Sequence, residues 1–155
     1  KQVSGFTNKE ELLLIPEAES IFPFLLQDKL IEDGAIFNEG EMYLEKVSRD
    51  KNLITGQNPW SVWALAEAMV EQMGYTPKLR KLTAEENAVK VLFAYETQGL
   101  DTSKAVIKEL TQEKQQLISR ELLVSHSAIA VIQGDLIKFY HLLRLASYAK
   151  DAQCI

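Results

Sequence analysis

The chain has 155 residues, 46% hydrophobic and 25% charged, with a formal net charge of −5. This is the composition of an ordinary globular chain with one domain's worth of residues, and nothing in it suggests disorder. The acidic balance and scattered Lys and Arg exclude the clustered basic face that nucleic acid or an anionic membrane surface requires, and no apolar run is long enough to span a bilayer.

Taken in chain order, the first residues, Lys1-Gln2-Val3-Ser4-Gly5, have neither an initiator Met nor a signal-peptide layout, and the start is expected to be a cut. Gln2 to Phe6 reads as a short strand end. Phe24 to Glu32 reads as a helix with Phe24, Leu25, Leu26, Leu30 and Ile31 as its apolar positions, stopped by Gly34. Alternation through Met42, Leu44 and Val47 suggests a partly exposed strand. Arg49-Asp50-Lys51-Asn52 is a polar turn before a second strand, Leu53-Ile54-Thr55, giving a hairpin-like pair.

Gly56-Gln57-Asn58-Pro59 breaks the pattern, and a helix follows through Trp63, Leu65, Ala66, Met69, Val70 and Met73 to Gly74. Asn58 suits the N-cap, Pro59 the first helical position and Gly74 the left-handed residue past the end. A strand, a tight loop and a helix N-terminus in succession is where α/β folds place ligands. The basic run Lys78-Leu79-Arg80-Lys81 reads as a solvated linker.

Beyond it the pattern becomes helical. Thr83 with Glu86 forms a capping box, and the helix it opens is expected to stop at Gly99. Asp101-Thr102-Ser103 starts another, with Ala105, Val106, Ile107 and Leu110 inward, and Glu113 to Gln116 is a polar stretch where it ends or continues. From Leu117 to Lys150 apolar density is high, with a break at Gly134-Asp135. No fixed-length repeat is visible.

Candidate chemistry is sparse. The single cysteine, Cys154, excludes an internal disulfide, fits a reducing cytoplasm, and at the penultimate position is poorly placed for a nucleophile. His126 and His141 have no Cys, Asp or Glu at metal-ligand spacing. Ser125-His126-Ser127 places neighbours on different faces of a helix, which does not make a nucleophile with its base.

The stretch Leu53-Ile54-Thr55-Gly56-Gln57-Asn58-Pro59 with Ser61, preceded in order by Val3-Ser4-Gly5-Phe6-Thr7-Asn8-Lys9-Glu10-Glu11, Pro23-Phe24-Leu25-Leu26 and Gly34-Ala35-Ile36-Phe37, resembles the C-terminal part of the ThiJ/PfpI superfamily. The resemblance is to the class I glutamine amidotransferase-like branch that includes glyoxalase III and holdase-chaperone members. It implies an α/β fold, the C-terminal portion of a flavodoxin-like sandwich over 1–81, with an all-α extension over 82–155. It implies a cysteine-dependent enzyme of glyoxalase III, deglycase or amidase-like type, without metal or organic cofactor. Glu11 would be the acid that orients a catalytic histidine, and Gln57, Asn58, Pro59 and Trp60 would form the pocket rim.

The family's cysteine and adjacent histidine have no counterpart here, so the chain by itself is expected to lack that activity. The expected partner is an N-terminal fragment of the same protein, or another chain, that completes the sheet around a small carbonyl or amide substrate. A homodimer is a further possibility. The alternative reading is a non-catalytic chaperone-like or partner-binding module that uses the helical extension.

Overall fold

The computed structural model describes residues 1–153, so Cys154 lies outside the described residues. The chain divides into two compact units, Lys1–Leu79 and Arg80–Ile155.

In the N-terminal unit, β1 (Gln2–Val3) pairs in parallel with β2 (Ile36–Phe37), Gln2 opposite Ile36 and Val3 opposite Phe37. Parallel neighbours need a crossover, supplied here by α1 (Asn8–Leu14), α2 (Ala18–Ile21) and α3 (Leu26–Glu32). A second sheet is the antiparallel hairpin of β3 (Val47–Asp50) and β4 (Leu53–Gly56), joined by Lys51-Asn52, with Lys51 at a left-handed φ of 58°. Asn58 then caps a single 3₁₀ turn, Pro59–Ser61, which runs into α4 (Val62–Gln72). The Asn58 cap and the Pro59 start agree with the sequence pattern; the hairpin forms, but Arg49 and Asp50, expected in its turn, pair with Ile54 and Leu53 in the ladder.

The flavodoxin-like sandwich is not found. The chain is 60% helix and 8% strand, and its strands form two separate two-stranded sheets. The physical reason is visible along β1. Its inner edge pairs with β2 through Ile36 N to Lys1 O and Asn38 N to Val3 O. Along its other edge the donors are satisfied by side chains: Gln2 N donates to Asp50 Oδ2 and Ser4 N to Thr55 Oγ1, each at 2.8 Å. A third parallel strand therefore has no free donors to pair with on that edge.

The strand expected through Met42, Leu44 and Val47 is also corrected. Only Val47 enters a strand; Tyr43 takes a φ of 54° and Leu44 is buried in a turn. The helix expected from Phe24 begins at Leu26, and Phe24 itself is exposed.

The C-terminal unit is helical. Thr83 and Glu86 close the capping box of α5 (Ala84–Gln98), and Gly99, at φ 86°, lets the chain turn directly into α6 (Leu100–Lys108). One π turn, Glu109–Glu113, ends that helix, after which the chain is irregular until α7 (Arg120–Ile132). Gly134 at φ 77° makes the tight reversal into α8 (Leu136–Gln153). Leu92, Ile107, Leu123, Leu142 and Leu145, contributed by all four helices, are fully buried and form the core. Among the described residues no helix is long and apolar enough to cross a membrane.

Candidate functional site

The polar centre of the N-terminal unit is built on Glu10, whose side chain is fully buried. Thr7 caps α1 in a capping box: Glu10 N donates to Thr7 Oγ1 at 3.2 Å, and Glu10 Oε2 accepts from both Thr7 N and Thr7 Oγ1 at 3.0 Å. The other carboxylate oxygen, Oε1, accepts from Tyr43 N at 2.7 Å, Asn58 Nδ2 at 2.8 Å and Gln57 Nε2 at 3.1 Å. Five donors thus surround one buried carboxylate, an arrangement that replaces its lost hydration.

The donors are themselves fixed. Asn58 Nδ2 also donates to Leu44 O at 2.8 Å, while its Oδ1 accepts from Trp60 N at 3.0 Å. Gln57 Nε2 also donates to Glu41 O, and its Oε1 accepts from Gly40 N at 2.7 Å. Tyr43 packs edge-on against Phe6 and donates its phenol to Glu10 O at 2.7 Å. Burial, with the charges of Glu10 and Glu11 behind it, pushes the Tyr43 phenol up to about 12, so it remains a donor at neutral pH.

Glu11, next in the chain, faces elsewhere. It is half-buried and lines an open cavity of about 310 Å³ with Phe22, Pro23, Phe24, Leu25 and Leu26. The walls are apolar, and Glu11 is the one titratable residue among them. Such a carboxylate can accept a hydrogen bond from an imidazole, an amine or an amide entering from outside. No cysteine or histidine lines the cavity.

The residues expected to share a site are therefore divided. Gln57 and Asn58 converge on Glu10, and neither lines the Glu11 cavity. Pro59 is exposed at the helix start, and Trp60 stacks on Trp63 with ring centroids 6.1 Å apart. Glu10 and Tyr43 were not singled out from sequence. The signal for Glu10 was present, because Thr7-x-x-Glu10 is the same capping-box pattern as Thr83-x-x-Glu86. Tyr43 left none, since its role depends on a left-handed backbone.

In the C-terminal unit, His126 is buried, and His141 packs edge-on against Tyr95 with its Nδ1 3.0 Å from the phenol oxygen. Burial, then the Lys138 charge, lowers the His126 imidazole to about 4 and keeps it neutral. Ser125 and Ser127 return their hydroxyls to Glu121 O and Val124 O within the same helix. Among the described residues no group of three or more His, Cys, Asp or Glu could hold a metal ion. Comparison of the chain with family models, with curated proteins and with solved structures returned no match.

Proposed function

We propose that the N-terminal unit supplies the acid of a cysteine-dependent active site that a second polypeptide segment completes, in a ThiJ/PfpI-like enzyme acting on a small carbonyl or amide compound. The observation that carries this reading is the division of labour between adjacent carboxylates. Glu10 spends both oxygens on internal donors and anchors the backbone, which leaves Glu11 held at the edge of an apolar cavity with its carboxylate available.

In that role Glu11 accepts a hydrogen bond from one ring nitrogen of an incoming histidine. It fixes the tautomer that can take the proton of a cysteine thiol, then stabilises the imidazolium that forms. The thiolate adds to the electrophilic carbonyl carbon of the substrate. Once the completing segment covers them, the apolar walls formed by Phe22, Phe24 and Leu26 would strengthen the carboxylate–imidazolium attraction by excluding water. The resemblance in sequence order from Val3 to Ser61 suggests the reaction class, and the open cavity beside Glu11 supports the reading.

The test is native mass spectrometry of everything that purifies with the chain, followed by sequencing of any companion. A companion with a Cys-His pair, and turnover that drops by roughly 10²- to 10⁴-fold in Glu11→Gln, is expected for an orienting acid. A chain that purifies alone, or a complex indifferent to Glu11→Gln, overturns the assignment.

A further inference from the structure

The surface of the C-terminal unit holds an apolar patch that its own core does not use. Val131, Ile132, Leu136, Ile137 and Tyr140 crowd the turn between α7 and α8 and are 45%, 70%, 68%, 72% and 58% exposed. Helical spacing extends the patch in both directions. On α7, Val124 and Ala128 precede Val131 on one exposed stripe; on α8, Leu143 follows Leu136 and Tyr140. The opposite faces of the same helices carry Leu123, Ala130, Leu142, Leu145 and Ala149, all buried, so both helices are apolar on two sides. One apolar side suffices for a helix that only covers a core.

We infer that this α7–α8 face is a self-association surface, and that its occupant is a second copy of the same face. Two features favour a copy over a foreign partner. The first is area: the exposed apolar side chains amount to on the order of 700 Å², close to the ~800 Å² that each partner buries in a standard stable interface. That exceeds the ~300–600 Å² of the largest patch on a typical monomer. The second is charge. The chain carries a net charge of −5, yet the charged residues at the patch, Asp135 at the turn and Arg144 beside Tyr140, are one acid and one base, so a copy brings no net like charge to it.

A two-fold pairing puts one stripe on its counterpart, each residue's contact being repeated by symmetry. Ala128, small and flanked by Val124 and Val131, leaves a hollow on α7, and Tyr140 supplies a large side chain from α8. Tyr140 is held by Arg144, whose guanidinium lies 5.8 Å from its ring centroid, so the aromatic is partly ordered before contact. The resulting interface is a four-helix arrangement of two α7–α8 hairpins.

Sedimentation velocity of the full chain over a concentration series reads the association directly. The wild type is expected as a dimer, and Ile137→Lys and Tyr140→Lys each to weaken it by at least roughly 30-fold, as for a central interface residue. Both positions are exposed, so circular dichroism should report unchanged helix content. Met73→Lys alters an exposed apolar residue of the other unit and is expected to leave the dimer intact. A monomeric wild type at high micromolar concentration overturns the inference. So does a dimer lost in Met73→Lys but kept in the α8 variants, and so does a complex that holds a single copy of this chain beside a different protein.

Discussion

Glu10 and Asn58 stand 48 positions apart in the chain and meet with Asn58 Nδ2 2.8 Å from Glu10 Oε1. The contact joins the first helix of the N-terminal unit to the loop after its β-hairpin, and it decides the local backbone on both sides. Tyr43 and Leu44 turn inward because the Glu10 carboxylate takes the Tyr43 N–H and the Asn58 amide takes the Leu44 carbonyl, leaving no strand ladder to join.

Glu10→Gln replaces an acceptor oxygen with an NH₂ facing donors and removes the charge that holds them. A loss of about 2–4 kcal/mol of stability is expected, because buried donors left unpaired cost more than the mean hydrogen bond. Glu11→Gln, at a half-exposed position, should cost less than about 0.5 kcal/mol. Both tryptophans, Trp60 and Trp63, lie in the N-terminal unit, so their fluorescence in urea follows this unit. Equal effects of the two substitutions would contradict the anchoring role of Glu10.

Gly56→Ala tests the packing that seats the helix start. An added Cβ would stand 2.9 Å from Ser61 Cβ, and Ser61 is buried and held by the N–H of Lys46 at 3.1 Å. Neither side can move freely, so about 1–3 kcal/mol of destabilisation is expected from overpacking. A fluorescence midpoint unchanged from wild type would show that the Asn58 cap yields more readily than its hydrogen bonds imply.

Glu86 couples the α5 cap to pH. Burial raises its carboxyl, but the hydrogen bonds from Arg80 and from Thr83 outweigh this and hold it below its ordinary 4.5. A depressed folded value gives stability that is complete above the unfolded value and is lost as pH falls through the folded one. Glu86→Gln should therefore cost about 1–2 kcal/mol near neutrality, discounted for the solvent reaching Arg80. The gap from wild type should close below about pH 4.5, as measured by thermal melts at several pH values. A gap independent of pH would assign the effect to packing alone.

His126 gives the same unit a second acid sensitivity. Its imidazole is held neutral, with the folded value lowered from 6.5 to about 4 by burial first and Lys138 second. The unfolded chain takes up the proton earlier, so stability is complete above about pH 6.5 and declines between there and pH 4, by up to about 3 kcal/mol. Imidazole resonances of His126 should show their inflection near pH 4, and His126→Leu should flatten the decline. A midpoint near 6.5 would mean that the ring is hydrated.

The sequence alone determined the features that rest on local chemistry. Asn58-Pro59 opens a helix because the side chain caps free N–H groups within three residues, and Thr83 with Glu86 does so for the same reason. Gly99 and Gly134 end helices because each takes a positive φ that other residues avoid. The β3–β4 hairpin closes over two residues and needs no distant partner.

Tertiary structure decided everything that depends on which distant group reaches a donor first. Asp50 and Thr55 meet the outer edge of β1, and the sheet stops at two strands where a larger α/β fold is the expectation from the sequence. Glu10 and Glu11 are indistinguishable as letters. Thr7, Tyr43, Gln57 and Asn58 converge on the first from three parts of the chain and bury it, while the turn of α1 leaves the second facing the cavity. Burial with hydrogen-bond partners is a property of the assembled chain, and it separates an anchoring carboxylate from an available one.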